Sequence, residues 1–204
     1  MSAKKRIFIS SVQKELELER AAVAGLIATD PFLLQHCTPV LFEKEPLPSH
    51  PASRPYLDSL WSCAVYLLLI ANEYGHRDGD LSAMHYEYRL AQELQLPSIV
   101  FIKGATDAGR SQETNELIKE IKKAGHTYKR FHDREDLKPE MLRALVRILA
   151  EEFGVEATGA EMDEGAHSRS ARYSLMHMMI YASQVALRGS LMSTLLCPAL
   201  WSRC

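Results

Sequence analysis

Short apolar runs alternate with stretches of helical period from residue 5 to residue 153. Arg6-Ile-Phe-Ile-Ser10 reads as a strand, and residues 11–28 follow as a helix with a stripe at Val12, Leu16, Val23, Leu26 and Ile27. Ser10 or Ser11 is placed to cap that helix, whose first N–H groups need acceptors. Thr38-Pro-Val-Leu-Phe-Glu43 is a second strand, followed by a proline-rich loop (Pro46, Pro48, Pro51, Pro55) and a short helix around Tyr56–Trp61. Ala64-Val-Tyr-Leu-Leu-Leu-Ile70 is apolar at every position, as suits a central parallel strand covered on both faces. A polar loop over 71–81 leads into a helix over 82–95 that Ser82 can cap, and Ser98-Ile-Val-Phe-Ile102 is the fourth strand. A helix over 112–124 has Glu113 and Glu116 in its first turn, Lys119, Lys122 and Lys123 near its end and Gly125 just beyond, an order that complements the helix dipole. Thr127–His132 is a polar strand suited to a sheet edge. The helix over 135–153 carries Leu142, Leu145, Val146, Leu149 and Phe153 on one face.

Five strands separated by helices predict an α/β fold: three layers around a five-stranded parallel sheet of flavodoxin-like order 2-1-3-4-5. In that order the topological switch lies between strands one and three, and ligands of open α/β sheets bind at the carboxyl ends of the strands there.

The text changes after Gly154. Lysine is absent from 139 onward, and five of the eight methionines fall between 162 and 192. We therefore divide the chain into a domain over 1–154 and a linker and tail over 155–204. Residues 156–171 are rich in Gly, Ala, Ser and Glu. Tyr173–Leu187 and Gly189–Ser202 are apolar but interrupted by Arg188 and Pro198, short of the roughly 18 residues a membrane span needs. The tail lacks a clean amphipathic period, so it reads as a loose end or truncated remnant rather than a docking helix.

The charge balance, 24 basic against 26 acidic residues, argues against a nucleic-acid coat or a polybasic membrane binder. Lys4-Lys-Arg6 runs straight into a strand with no apolar signal region, which places the chain in the cytoplasm as an expectation. Cys37, Cys63, Cys197 and Cys204 have neither CxxC nor zinc spacing and read as inert thiols, with no metal.

Candidate chemistry gathers at the carboxyl ends of the strands. Ser10 and Ser11 end strand one, and Glu43 ends strand two. Tyr74 and Gly75 follow strand three, and Ser82 opens the next helix with Glu87 little more than a turn inside. A carboxylate there could stabilise an oxocarbenium-like sugar carbon or act as a nucleophile, and helix N-termini could hold phosphate. The same residues also read as plain caps and a first-turn acid. Gly104-Ala-Thr-Asp-Ala-Gly109-Arg110-Ser111 approaches the phosphate-loop pattern but has Arg110 for lysine and Asp107 in the cradle. It reads as a surface loop, with Arg110 able to approach an anion. His85 is about 200° around the helix from Glu87 and reads as a packing or surface residue. Glu15, Glu17, Glu19 and Arg20 read as a solvated face with helical ion pairs. Of Tyr86 and Tyr88, at least one belongs to the core.

Lys5-Arg-Ile-Phe-Ile-Ser-Ser-Val-Gln-Lys-Glu-Leu-Glu-Leu-Glu-Arg20, Pro39-Val-Leu-Phe-Glu43, Glu73-Tyr-Gly75, and Ser82-x-x-x-x-Glu-Tyr-x-x-Ala91 followed by Pro97-Ser-Ile-Val-Phe-Ile-Lys103 carry a resemblance over about residues 4–150. Together they resemble a "domain of unknown function" family with a TIR-like, flavodoxin-type fold. That domain begins longer chains, preceding Alba-type ATP-binding regulator domains in bacteria and NTPase and repeat modules elsewhere. The resemblance implies a regulatory or signalling module that associates with itself or with protein partners; with the near-neutral charge, the expectation is no direct contact to nucleic acid or membrane, and no cofactor is expected to be required. The wider TIR-like group includes enzymes that cleave the nicotinamide–ribose bond of NAD through a glutamate on the helix after the third strand. By that likeness Glu87 is the catalytic carboxylate of an NAD or nucleotide N-glycosidic hydrolase. Ser10 and Ser11 would line its pocket, and Tyr74 and Gly75 would shape the wall; Glu43 and Ser82, placed at the same strand ends, are further candidate ligand contacts. Met84 and His85 stand near where that group carries a Trp-Cys pair, and Cys63 where it carries an acid.

Overall fold

The computed structural model describes residues 3–44 and 55–155. The prolines 46, 48 and 51 and the tail over 156–204, with the expectations attached to them, lie outside the described residues. In chain order the elements are β1 (Lys5–Ser10), α1 (Glu17–Thr29), α2 (Pro31–His36), β2 (Cys37–Val40), a 3-10 turn (Phe42–Lys44), α3 (Pro55–Leu60), β3 (Val65–Ile70), β4 (Arg77–Asp78), β5 (Leu81–Ser82), α4 (Ala83–Glu93), β6 (Ser98–Lys103), α5 (Gln112–Lys123), β7 (Tyr128–Phe131) and α6 (Arg134–Phe153). Five strands form one sheet in the order β2-β1-β3-β6-β7, every pair parallel. Counting sheet strands alone, this is the expected 2-1-3-4-5. The short strands β4 and β5 pair antiparallel in the loop after β3.

Period-two alternation along the strands builds two cores, one on each face. Ile7, Ile9, Val65, Leu67, Leu69, Ile99, Phe101 and Phe131 pack against Leu16, Val23 and Ile27 of the α1 segment and Leu137, Met141, Leu145 and Leu149 of α6. Phe8, Tyr66, Leu68, Ile70, Val100 and Ile102 point the other way, onto Leu60 of α3, Met84, Tyr88 and Ala91 of α4 and Leu117, Ile118 and Ile121 of α5. All six residues of β3 are buried because both of its faces are covered. In this order α1 and α4 leave the adjacent ends of β1 and β3 toward opposite faces of the sheet, which makes that pair of strand ends the topological switch point.

Local signals set the helix ends. Ser82 accepts from His85 N–H at 3.3 Å as the cap of α4, Ser111 accepts from Thr114 N–H for α5, and Asp133 accepts from Glu135 and Asp136 N–H for α6. Gly154, at φ +62°, ends α6. The described elements depart from the sequence reading in four places. The first helix begins at Glu17 with no side-chain cap, so Ser10 and Ser11 do not cap it; a looser turn closed by Leu16 N–H on the Val12 carbonyl precedes it. The second strand stops at Val40, and Glu43 sits in the 3-10 turn rather than at a strand end. Helix α2 was not anticipated, although Asp30 followed by Pro31 is a strong start signal: the Asp30 side chain accepts from Phe32 and Leu33 N–H. The 71–81 loop contains the β4/β5 pair. Cys37 and Cys63 are buried thiols outside any disulfide, and burial pushes Cys37 up to about 11. Among the described residues no helix is long and apolar enough to cross a membrane.

Candidate functional site at the switch point

Glu87 occupies the core-facing stripe of α4. Met84, Glu87, Tyr88 and Ala91 follow the i, i+3, i+4, i+7 spacing, so the period that buries the three apolar side chains buries the acid with them. Glu87 is 7% exposed. Ser10, the last residue of β1, donates its hydroxyl to Glu87 Oε2 at 2.5 Å, the length of a charge-assisted O–H···O bond. Burial raises the Glu87 pKa from 4.5 to about 7, against the lowering effects of the Ser10 hydrogen bond and of the Arg20 charge; Glu43 raises it further. Tyr66 of β3 is fully buried beside this pair. Its hydroxyl neighbours Ser10 but lies outside hydrogen-bond geometry with it. Burial first, and then the Glu87 charge, hold the Tyr66 phenol well above its ordinary pKa.

A second layer surrounds this pair. The Arg20 side chain is 4% exposed. It donates to the Ile9 carbonyl at 2.9 Å, to Ser11 Oγ at 3.2 Å and to both carboxylate oxygens of Glu43, at 2.6 and 3.3 Å. Gln13 adds a bond to Glu43 at 3.3 Å. Glu19, also buried, pairs with Lys103 at the end of β6 at 2.6 Å. This corrects the solvated-face reading of Glu19 and Arg20: Leu16, Arg20, Val23 and Ile27 form one stripe, and the helical period carries the two charged residues inward with their apolar neighbours.

The loop after β3 forms the facing wall. Glu15 accepts from Asn72 N–H at 2.8 Å and Glu73 N–H at 3.0 Å. The Asn72 carbonyl accepts from Ser111 N–H and Thr114 Oγ1. Gly75 has φ +84°, and a Cβ there would stand 3.2 Å from Val12 Cγ2, so glycine is what lets this loop lie against the β1–α1 connection. Tyr74 turns its hydroxyl to His85 Nδ1 at 2.6 Å. His85 Nε2 meets Glu120 Oε2 at 3.1 Å, and Arg89 donates twice to Glu120. His85 is therefore a buried link between the β3–β4 loop and α5. Burial lowers its pKa more than Glu120 raises it.

The structure thus brings Ser10, Ser11, Glu43 and Glu87 together around Arg20. Ser82 serves as the α4 cap, and Tyr74 is engaged with His85. Arg110 is turned into its own loop, donating to the Lys103 and Thr106 carbonyls at 2.5 and 2.9 Å, while Asp107 pairs with Arg130 at 2.6 Å. Sequence reading missed Arg20, Glu15 and Tyr66 as parts of the site. For Arg20 a signal existed, a charged residue filling a gap in an apolar stripe. Among the described residues no group of three His, Cys, Asp or Glu side chains is arranged to hold a metal ion.

Sheet order and layering define a flavodoxin-like α/β domain with a buried acid at its topological switch. The chain belongs to the DUF4062 family, a domain of unknown function, whose model matches residues 6–146. No curated protein is significantly similar to it. Among solved structures it is similar to the FixJ-N crystal structure, at 14% identity and a TM-score of 0.39, over 70% of this chain and 94% of that one.

Proposed function

We propose that this domain is a TIR-like regulatory or signalling module, part of a larger protein, whose switch-point crevice binds a small nucleotide such as NAD and passes its occupancy on through self-association or a protein partner. The observation that supports this most directly is the convergence of Ser10, Ser11, Arg20, Glu43 and Glu87, from three separate stretches of chain, on one end of the sheet. A carboxyl and two hydroxyls suit the vicinal hydroxyls of a ribose, for which donors and acceptors must be present together. Structural pairing alone would not require an acid to be buried against a serine when a leucine would pack there at no desolvation cost. Calorimetric titration of the full chain with NAD, ADP-ribose and ADP tests the reading, with sedimentation velocity run on the same mixtures. Saturable binding that weakens at least tenfold in Glu87→Gln is expected. Absence of binding by all three, or binding indifferent to Glu87→Gln, refutes it.

The displaced Glu87 pKa favours a second reading, an N-glycosidic hydrolase. A carboxyl titrating near 7 exchanges its proton at working pH, and in its ionised form it would stabilise an oxocarbenium-like ribose as nicotinamide departs and water adds. Chromatographic assay of nicotinamide released from NAD separates the two. Release abolished by Glu87→Gln supports the enzyme, whereas binding without release leaves the module.

A further inference from the structure

The β1–α1 connection and the β3–β4 loop flank the switch point, and they are tied by one side chain. Glu15 presents both carboxylate oxygens to successive backbone N–H groups, Oε1 to Asn72 at 2.8 Å and Oε2 to Glu73 at 3.0 Å. This is the arrangement by which backbone nests hold the oxygens of a phosphate or carboxylate ligand. The Asn72 peptide is fixed from behind, since its carbonyl accepts from Ser111 N–H at 3.1 Å and Thr114 Oγ1 at 3.2 Å. Unlike Glu19 and Glu87, Glu15 is not buried: its bonds to the two amides lie at the exposed rim, where solvent and solutes can compete for them.

We infer that the Asn72 and Glu73 amides form an anion site at the mouth of the switch-point crevice, and that the Glu15 carboxylate is its resident occupant, displaced when the phosphate or carboxylate of a ligand enters. This deepens the proposed function and rests on its ligand-binding reading: the sugar end of a nucleotide would lie toward Glu87 and Ser10, and its anionic end would take the place of Glu15. Displacement also cuts the tie between the two loops, so binding would release the β1–α1 connection from the loop after β3.

The test uses the full chain labelled with 15N. Amide resonances of Asn72 and Glu73 are followed during titration with sodium phosphate and, separately, sodium acetate at constant ionic strength, in wild type, Glu15→Ala and Glu15→Gln. A tethered carboxylate competes at an effective concentration in roughly the millimolar range or above. Saturable shifts of both amides with at least tenfold tighter apparent affinity in the variants are therefore expected. Response to phosphate alone identifies a phosphate ligand, and response to both anions a site for either. The inference is overturned if neither anion moves these amides in the variants, or if wild type and variants respond equally. Glu15→Gln keeps the side chain's bulk should Glu15→Ala disturb the loop. Nucleotide titration of the same samples separates the two ideas: binding that depends on Glu87 while the Asn72 and Glu73 amides stay unmoved removes the anion site and leaves the proposed function standing.

Discussion

Replacing Glu87 by glutamine fixes the buried group in its neutral form, and the consequence for stability can be worked from the site. In the unfolded chain the carboxyl titrates near 4.5, and in the native site near 7, because desolvation outweighs the Ser10 hydrogen bond and the Arg20 charge. Each factor of ten in proton affinity is about 1.4 kcal/mol, so this displacement corresponds to about 3 kcal/mol. Its sign follows from proton binding. Between pH 4.5 and 7 the native protein holds a proton that the unfolded chain has lost, so the contribution of Glu87 to stability is complete below about 4.5, declines as pH rises through this window and is gone above about 7. Urea unfolding of wild type and Glu87→Gln at pH 4.5, 5.5, 6.5 and 8 measures it. The difference between the two proteins cancels all other titrating groups. It should move by about 3 kcal/mol in favour of Glu87→Gln from the lowest pH to the highest, with unchanged m-values. A difference that stays constant to within 1 kcal/mol over this range would refute the claim that Glu87 is desolvated in the native state.

Two further outcomes follow from the same packing. Arg20→Met removes the donors to the buried Ile9 carbonyl and to Ser11 while Glu43, partly solvated, can find water; thermal and urea unfolding should show a loss of about 2–3 kcal/mol, and the pH midpoint assigned to Glu87 should rise because a nearby positive charge is gone. Gly75→Ala places a side chain at φ +84° and within 3.2 Å of Val12 Cγ2, so urea unfolding should record a loss of about 1–2 kcal/mol, with the largest amide shifts around Val12 and Ser82.

Most of the architecture was legible because it rests on periodicity. The continuous apolar run of β3 announced a strand covered on both faces, and the alternation in β1 and β6 sent odd and even residues to opposite cores. Ser82 as a cap and Gly125 as a terminator were readable for the same reason: their conformational preferences act locally. The site was legible only in part. Glu87 and Ser10 could be named from strand ends and helix starts. Charge alone marks Arg20 and Glu19 as solvated, whereas the stripe through Leu16, Val23 and Ile27 passes through them and carries them inward. A surface ion pair and a buried one look alike in sequence, since they differ only in what lies opposite.

The order of hydrophobic and polar residues by itself determined the five main strands, most of the helices between them and hence the α/β layering, because each of these follows from local propensity and from which faces are buried. Only the tertiary structure decided the partners: that Ser10 bonds Glu87 across 77 positions, that Arg20 clasps Glu43, and that Glu15 reaches the Asn72 and Glu73 amides. The environment of a carboxyl is set by the neighbours that displace its water, and those neighbours come from distant segments that meet only when the sheet assembles.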